Sequence, residues 1–330
     1  MAIVSGGVLA GLLPASAADT LRVRLDWVPW GNHGGIHFAS QKGLFAKHDL
    51  NVTIDDGNGS VTTVQIVGNG EYDVGHAALA PMAIARSKGL PVKAIAGFIK
   101  QNDIGLLVGA DSGIKTVADL KGKKLAFTAG SLETPFIDKF LAAGKLTKSD
   151  VELLAVDAAA KGGTYIANRA DGVFSSVPFI LPIVNPQRKS ISINFVDVGL
   201  DFPSFGFVAT EKTIAEKKDQ LRRFVSVCAG AWAYVMNGHL DDGVQAVIAA
   251  RPQGKLNPTL VKQQIESLKA FTDTAATKGK PYGTMAIEDW KIAVATLSSG
   301  GLVPASLDPA SLFTNDFIDA RIVNEIASGK

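Results

Sequence analysis

Trp27 and Trp30 stand just ahead of Asn32 and His33, and together these side chains have the equipment to grip a flat, polar molecule. An indole face stacks on a planar ring. An amide and an imidazole supply hydrogen bonds of either sense. Packing between elements accounts equally well for a buried tryptophan, and His37, one turn further on, reads as a helix-packing residue. Asn58 and Ser60 fall at a helix start, where free backbone N–H groups hold polar ligand atoms or take a plain N-cap. His76 and Ala77 follow a short strand, where small residues let a ligand approach the backbone. In the turn Gly130-Ser131, with Thr134 in the helix expected to follow, the chain offers its clearest candidate for an anion or carbonyl site. Glu133, in that first turn, favours the helix dipole and works against a bound anion. Ser175 and Ser176 end a strand and would close the far wall, with Phe174 beside them. Phe202 and Phe205 gate or pack, and Gln101 and Asn102 read as loop surface.

Several chemistries are not expected. The chain has no Gly-x-x-x-x-Gly-Lys-Ser/Thr phosphate loop, no His/Asp/Ser set at recognisable spacing and no metal-ligand cluster. Its single cysteine, Cys228, lies in an apolar helical run and reads as core packing. No enzyme activity, cofactor or metal is therefore expected. The formal net charge is +2, from 33 Lys+Arg against 31 Asp+Glu, and the charges are interspersed. That leaves no electrostatic footprint for nucleic acid or a membrane surface, so the expected partner is a small molecule.

The elements that must position these residues alternate. An apolar/polar strand at 21–25, a helix from 36, strands at 51–54, 72–75 and 92–98, and helices at 61–68 and 80–88 follow βαβ spacing. A similar series restarts near Gly109, with short helical and strand segments through 175 and a strand at 205–209. After that the pattern is helical. The expectation is an α/β chain with mostly parallel sheets flanked by helices. One lobe is discontinuous, 19–107 and 206–330, a second spans 108–205, and a ligand cleft lies between them. Residues 1–18 are apolar, uncharged and end in small residues, as a cleaved secretory leader does.

Several runs carry a resemblance: Leu25-Asp26-Trp27-Val28-Pro29 with Asn32-His33, His37-Phe38-Ala39, and Lys42-Gly43-Leu44-Phe45. Further on come Gly70-Glu71-Tyr72-Asp73-Val74-Gly75, Val117-Ala118-Asp119-Leu120-Lys121-Gly122-Lys123 and the turn from Gly130 to Pro135. In this order they resemble the thiamine-pyrimidine-precursor and alkanesulfonate-binding proteins of ABC transporters. The resemblance implies a type II periplasmic-binding-protein fold and a monomer in the periplasm. It also implies a hinge that closes over one small ligand and handover to an inner-membrane permease driven by a separate ATPase. Trp27 is the tryptophan at the family-matching position. An aminopyrimidine-like thiamine precursor is the favoured ligand, and a sulfonate, nitrate or aromatic carboxylate is the alternative. Pyrimidine-forming enzymes on the same fold carry a cysteine-rich segment that this chain lacks.

Overall fold

The computed structural model describes residues 18–329. All but the last residue of the expected leader, 1–18, lies outside the described residues.

Among the described residues, ten strands make two five-stranded sheets. The first contains β1 (Asp19–Arg24), β2 (Leu50–Asp55), β3 (Val74–Ala78), β4 (Val92–Gly97) and β10 (Phe205–Thr210), in the order β2-β1-β3-β10-β4. The second contains β5 (Ile104–Gly109), β6 (Lys124–Phe127), β7 (Glu152–Ala155), β8 (Gly172–Ser176) and β9 (Ser190–Asn194), in the order β7-β6-β8-β5-β9. One strand in each sheet runs against its neighbours: β10 is antiparallel to β3 and β4, and β5 is antiparallel to β8 and β9. These are the two strands next to the crossings between sheets. Both are buried along their whole length, which is why Ile-Gly-Leu-Leu-Val-Gly and Phe-Gly-Phe-Val-Ala-Thr read as continuous rather than alternating runs. Strand β1 alternates instead: Leu21 and Val23 are fully buried while Arg22 between them is exposed.

The helices cover the sheet faces. Lys218–Met236 buries its central run, including Cys228 and Trp232, beneath the first sheet's core. Among the described residues, no helix is long and apolar enough to cross a membrane.

Local structure departs from expectation at several points. The helix expected from 36 to 47 is two, Gly34–Gln41 and Leu44–Lys47. The strand expected at 72–75 is β3, Val74–Ala78, so His76 and Ala77 lie within it, paired with Phe207 and Gly206 of β10. No α-helix opens at Gly130-Ser131. A 3-10 turn, Thr134–Phe136, comes first and the α-helix is Ile137–Ala143. Val177–Val184 is a helix although Pro178 and Pro182 interrupt its sequence, because the first proline sits in the opening turn, where no N–H is needed. β9 and the last helix, Ala320–Ala327, also went unread in the sequence.

Candidate functional site

The carboxyl ends of β1 and β8 point toward a narrow, nearly closed cavity between the sheets. It is lined by residues of both sides: Asp26, Trp27, Trp30, Ser60 and Phe205 from the first, Ser131, Leu132, Ser175, Ser176 and Phe179 from the second. Of the sequence candidates, Trp27, Trp30, Ser131, Ser175 and Ser176 are brought together here. Phe179 was not singled out in the sequence, and its ring meets Trp27 at 6.1 Å and Trp30 at 5.3 Å between centroids, both edge-on. Both indole N–H groups are buried without a partner.

Asp26, first residue past the β1 strand and its Leu25, is the residue sequence reasoning missed. Its Oδ1 accepts hydrogen bonds from His33 Nε2 at 3.0 Å and His76 Nδ1 at 2.6 Å. Burial pushes the Asp26 carboxyl up, but the two imidazoles outweigh it and hold the group well below the usual carboxylate range. Its Oδ2 takes no hydrogen bond from the described residues. His33 is shifted down by burial, against the pull of Asp26. His37, packed edge-on to His33, is pushed down to about 3 by burial and then by its neighbour His33. Ligand atoms of Asp26, His33 and His76 all fall within 4.8 Å of one another, the spacing of a metal-binding group. The 3.0 and 2.6 Å separations are hydrogen-bond lengths, however, and one oxygen serves both rings. The cluster was illegible in the sequence because His76 stands 50 residues from Asp26.

At the anion or carbonyl site expected at Gly130, Ser131 and Thr134, Ser131 lines the cavity but the polar groups are engaged by the protein itself. Glu133 is fully buried and accepts from the Thr128 backbone N–H at 3.2 Å and from Ser131 Oγ at 2.7 Å. Lys161 Nζ, also buried, pairs with it at 2.7 Å and lies 5.0 Å over the Trp27 ring. Thr134 Oγ1 donates to the Thr128 carbonyl. Gly130, at φ 76°, turns its carbonyl across the cleft to accept from the N–H groups of Val61 at 3.0 Å and Thr62 at 3.3 Å. The free N–H groups expected near Asn58 and Ser60 are thus capped from the opposite side. Gly59 must be glycine here, since a Cβ would stand 2.3 Å from the Gly130 oxygen.

Ser60 and Phe205 line the cavity as well, and the other candidates fall elsewhere. Ser60 does not cap its helix; its Oγ accepts from the Ala78 N–H at 3.1 Å. Asn58 is exposed in a separate recess with Thr128 and Asp157. Ala77 is buried inside the sheet and does not line the cavity. Asn32 is fully buried, with neither amide atom partnered. Asn102 is also buried rather than loop surface, its amide bonded to the Leu200 carbonyl and the Ile104 N–H. Asp103, next to it, was not considered in the sequence. It accepts from Ser176 Oγ and Ser204 Oγ, each at 2.5 Å, and burial pushes its carboxyl up to about 6 against those bonds.

The model for proteins described as NMT1/THI5 like matches residues 30–238, which take in strands of both sheets from β2 to β10. The chain belongs to the NMT1/THI5-like family. A formylaminopyrimidine-binding protein of Halalkalibacterium halodurans is 21% identical to this NMT1/THI5-like chain over 286 residues, 86% of each protein. Among solved structures, the alkanesulfonate-binding protein SsuA of Xanthomonas axonopodis pv. citri, bound to MOPS, matches 91% of this chain and 99% of its own. Its TM-score is 0.69 at 17% identity. The periplasmic nitrate-binding protein NrtA of Synechocystis matches 94% and 89%, with a TM-score of 0.64 at 17% identity. At these identities the likeness shows the fold, and the two-sheet periplasmic-binding-protein architecture expected from the sequence is the one observed.

Proposed function

We propose that this NMT1/THI5-like protein is the extracytoplasmic receptor of an ABC importer. Its cargo is a small flat heterocycle with both N–H donors and ring-nitrogen acceptors, of the aminopyrimidine class. The observation that carries the reading is Asp26: a cavity-lining carboxylate kept ionised by two imidazoles, with one oxygen left for a ligand donor. A sulfonate, nitrate or carboxylate offers only acceptor oxygens and a negative charge, which Asp26 repels. Lys161, the cation that would offset this, is committed to Glu133. An aminopyrimidine N–H suits Asp26, and its ring nitrogens suit the unpartnered N–H groups of Trp27 and Trp30. The printed name of the Halalkalibacterium relative agrees with this choice.

The sheets serve as two lobes in this reading, and the crossings before β5 and before β10 as the hinge. Gly130 against Val61 and Thr62, Gln264 Nε2 donating to the Phe179 carbonyl at 3.0 Å, and Lys161 over Trp27 are the contacts that closure makes. A ligand touching both sides shifts the population toward this closed form, the shape a permease reads.

Titration of the purified chain with 4-amino-2-methylpyrimidine, taurine, nitrate and benzoate tests the reading, with melting temperature as the second readout. Heat of binding and a raised melting temperature are expected with the pyrimidine alone. A response to taurine or nitrate without one to the pyrimidine overturns the cargo assignment.

A further inference from the structure

A serine hydroxyl has one proton and two lone pairs, so a proton spent on a buried acceptor leaves only lone pairs for a ligand. Ser176 spends its proton on Asp103 Oδ2 at 2.5 Å, and Ser204 occupies the other oxygen of the same carboxylate. Ser131 spends its proton on Glu133 Oε2 at 2.7 Å, and the other Glu133 oxygen is taken by Lys161 and the Thr128 N–H. Neither carboxylate lines the cavity, whereas both serines do. Ser60 is wired the other way: its oxygen accepts from the Ala78 N–H, so its proton remains to be given.

We infer that Asp103 and Glu133 are positioning residues that fix Ser176 and Ser131 as hydrogen-bond acceptors toward the cavity, and that this wiring selects the amino over the oxo form of a heterocycle. The inference rests on the cargo reading above. On an aminopyrimidine edge an N–H donor stands beside a ring-nitrogen acceptor; on the corresponding pyrimidinone the carbonyl and ring N–H reverse both. Ser176, Ser131 and Asp26 meet the exocyclic position with lone pairs, which an amino group satisfies and a carbonyl opposes, while the free protons of Ser60 and the two indoles serve the ring nitrogens of the amino form. Leaving buried polar groups so opposed is the costly kind of mismatch.

The test compares dissociation constants for 4-amino-2-methylpyrimidine and 2-methylpyrimidin-4-one in the wild type, Asp103→Asn, Ser176→Ala and Ser131→Ala. The wild type binds the amino form at least about tenfold more tightly. In Asp103→Asn the new amide N–H can donate to a serine, so Ser176 is no longer obliged to give up its proton and the ratio falls by about tenfold. Ser176→Ala and Ser131→Ala lower the ratio as well, and they decide the matter if Asp103→Asn does not fold. A purely structural Asp103 weakens both compounds equally, so an unchanged ratio in folded, binding variants overturns the inference. Equal wild-type affinity for the two compounds overturns the wiring alone, whereas binding of neither by folded wild type overturns the cargo reading with it.

Discussion

Each side of the cleft buries a carboxylate in or beside the cavity, and the two are treated differently. Glu133, on the second-sheet side, is closed off: a lysine, a hydroxyl and a backbone N–H take both its oxygens, and nothing of it is exposed. Asp26, on the first-sheet side, shares one oxygen between two histidines and leaves the other without a protein partner. A lysine partner brings a full opposite charge, so the pair holds structure and has little left for a ligand. Imidazoles give directed hydrogen bonds at less cost in charge, so the carboxylate stays ionised and still able to accept. Charge locked on one side and left open on the other separates the two groups, and the proposed recognition role of Asp26 rests on that difference.

The largest effect expected from breaking this contrast is on stability. Lys161→Met strands Glu133 as a buried, unpaired charge, and denaturant unfolding should show a loss of about 3 to 5 kcal/mol. Adding Glu133→Gln to Lys161→Met should restore most of it. If Asp26→Asn is as damaging as Lys161→Met, the two carboxylates do the same job and the contrast fails.

Acid provides the next test. The buried His37 has its pKa lowered from 6.5 to about 3, so its contribution is fully present above the unfolded value and is lost as pH falls below it. Asp103 has the opposite sign: with its pKa raised from 3.8 to about 6, its protonation favours the folded state as pH falls through 6 toward 4. Between pH 7.5 and 4.5 the histidine loss amounts to about 3 kcal/mol and the Asp103 gain to about 2. Melting curves at the two pH values should therefore show a net decline in the wild type. The decline should steepen in Asp103→Asn and flatten in His37→Asn, and a His37→Asn profile identical to wild type removes His37 from the account.

The remaining effect is on binding. Asp26→Asn keeps the oxygen that both histidines share but turns the open one into an N–H donor and removes the charge, so the amino-heterocycle affinity should fall by about 1.5 to 3 kcal/mol in titration calorimetry, with a smaller loss of melting temperature than Lys161→Met shows. Unaltered affinity would show that the open carboxylate does not touch the cargo.

Much of the architecture was readable in advance because it is local. Alternating and continuous apolar runs marked most strands, and the order of short motifs pointed to the family. The short helix read at 117–120 is found as a 3-10 turn, closed by a capping box between Thr116 and Asp119. Trp27, Trp30, Ser131, Ser175 and Ser176 were singled out because they follow strands at the ligand-facing edge, and they line the cavity. What misled was also local: Gly130-Ser131 has the composition of an anion-binding turn, and only the tertiary fold fills it with Glu133. Pro178 and Pro182 hid a helix whose start tolerates proline.

By itself, then, the sequence determined the layering of strands and helices and the edge at which the cavity lies, since periodicity and turn chemistry act over a few residues. The polarity of the site was decided by the fold. Asp26 meets His76 across 50 residues, Glu133 meets Lys161 across 28 and Asp103 meets Ser204 across 101. Which way a hydroxyl or carboxylate is spent depends on such partners, and sequence spacing carries no record of them.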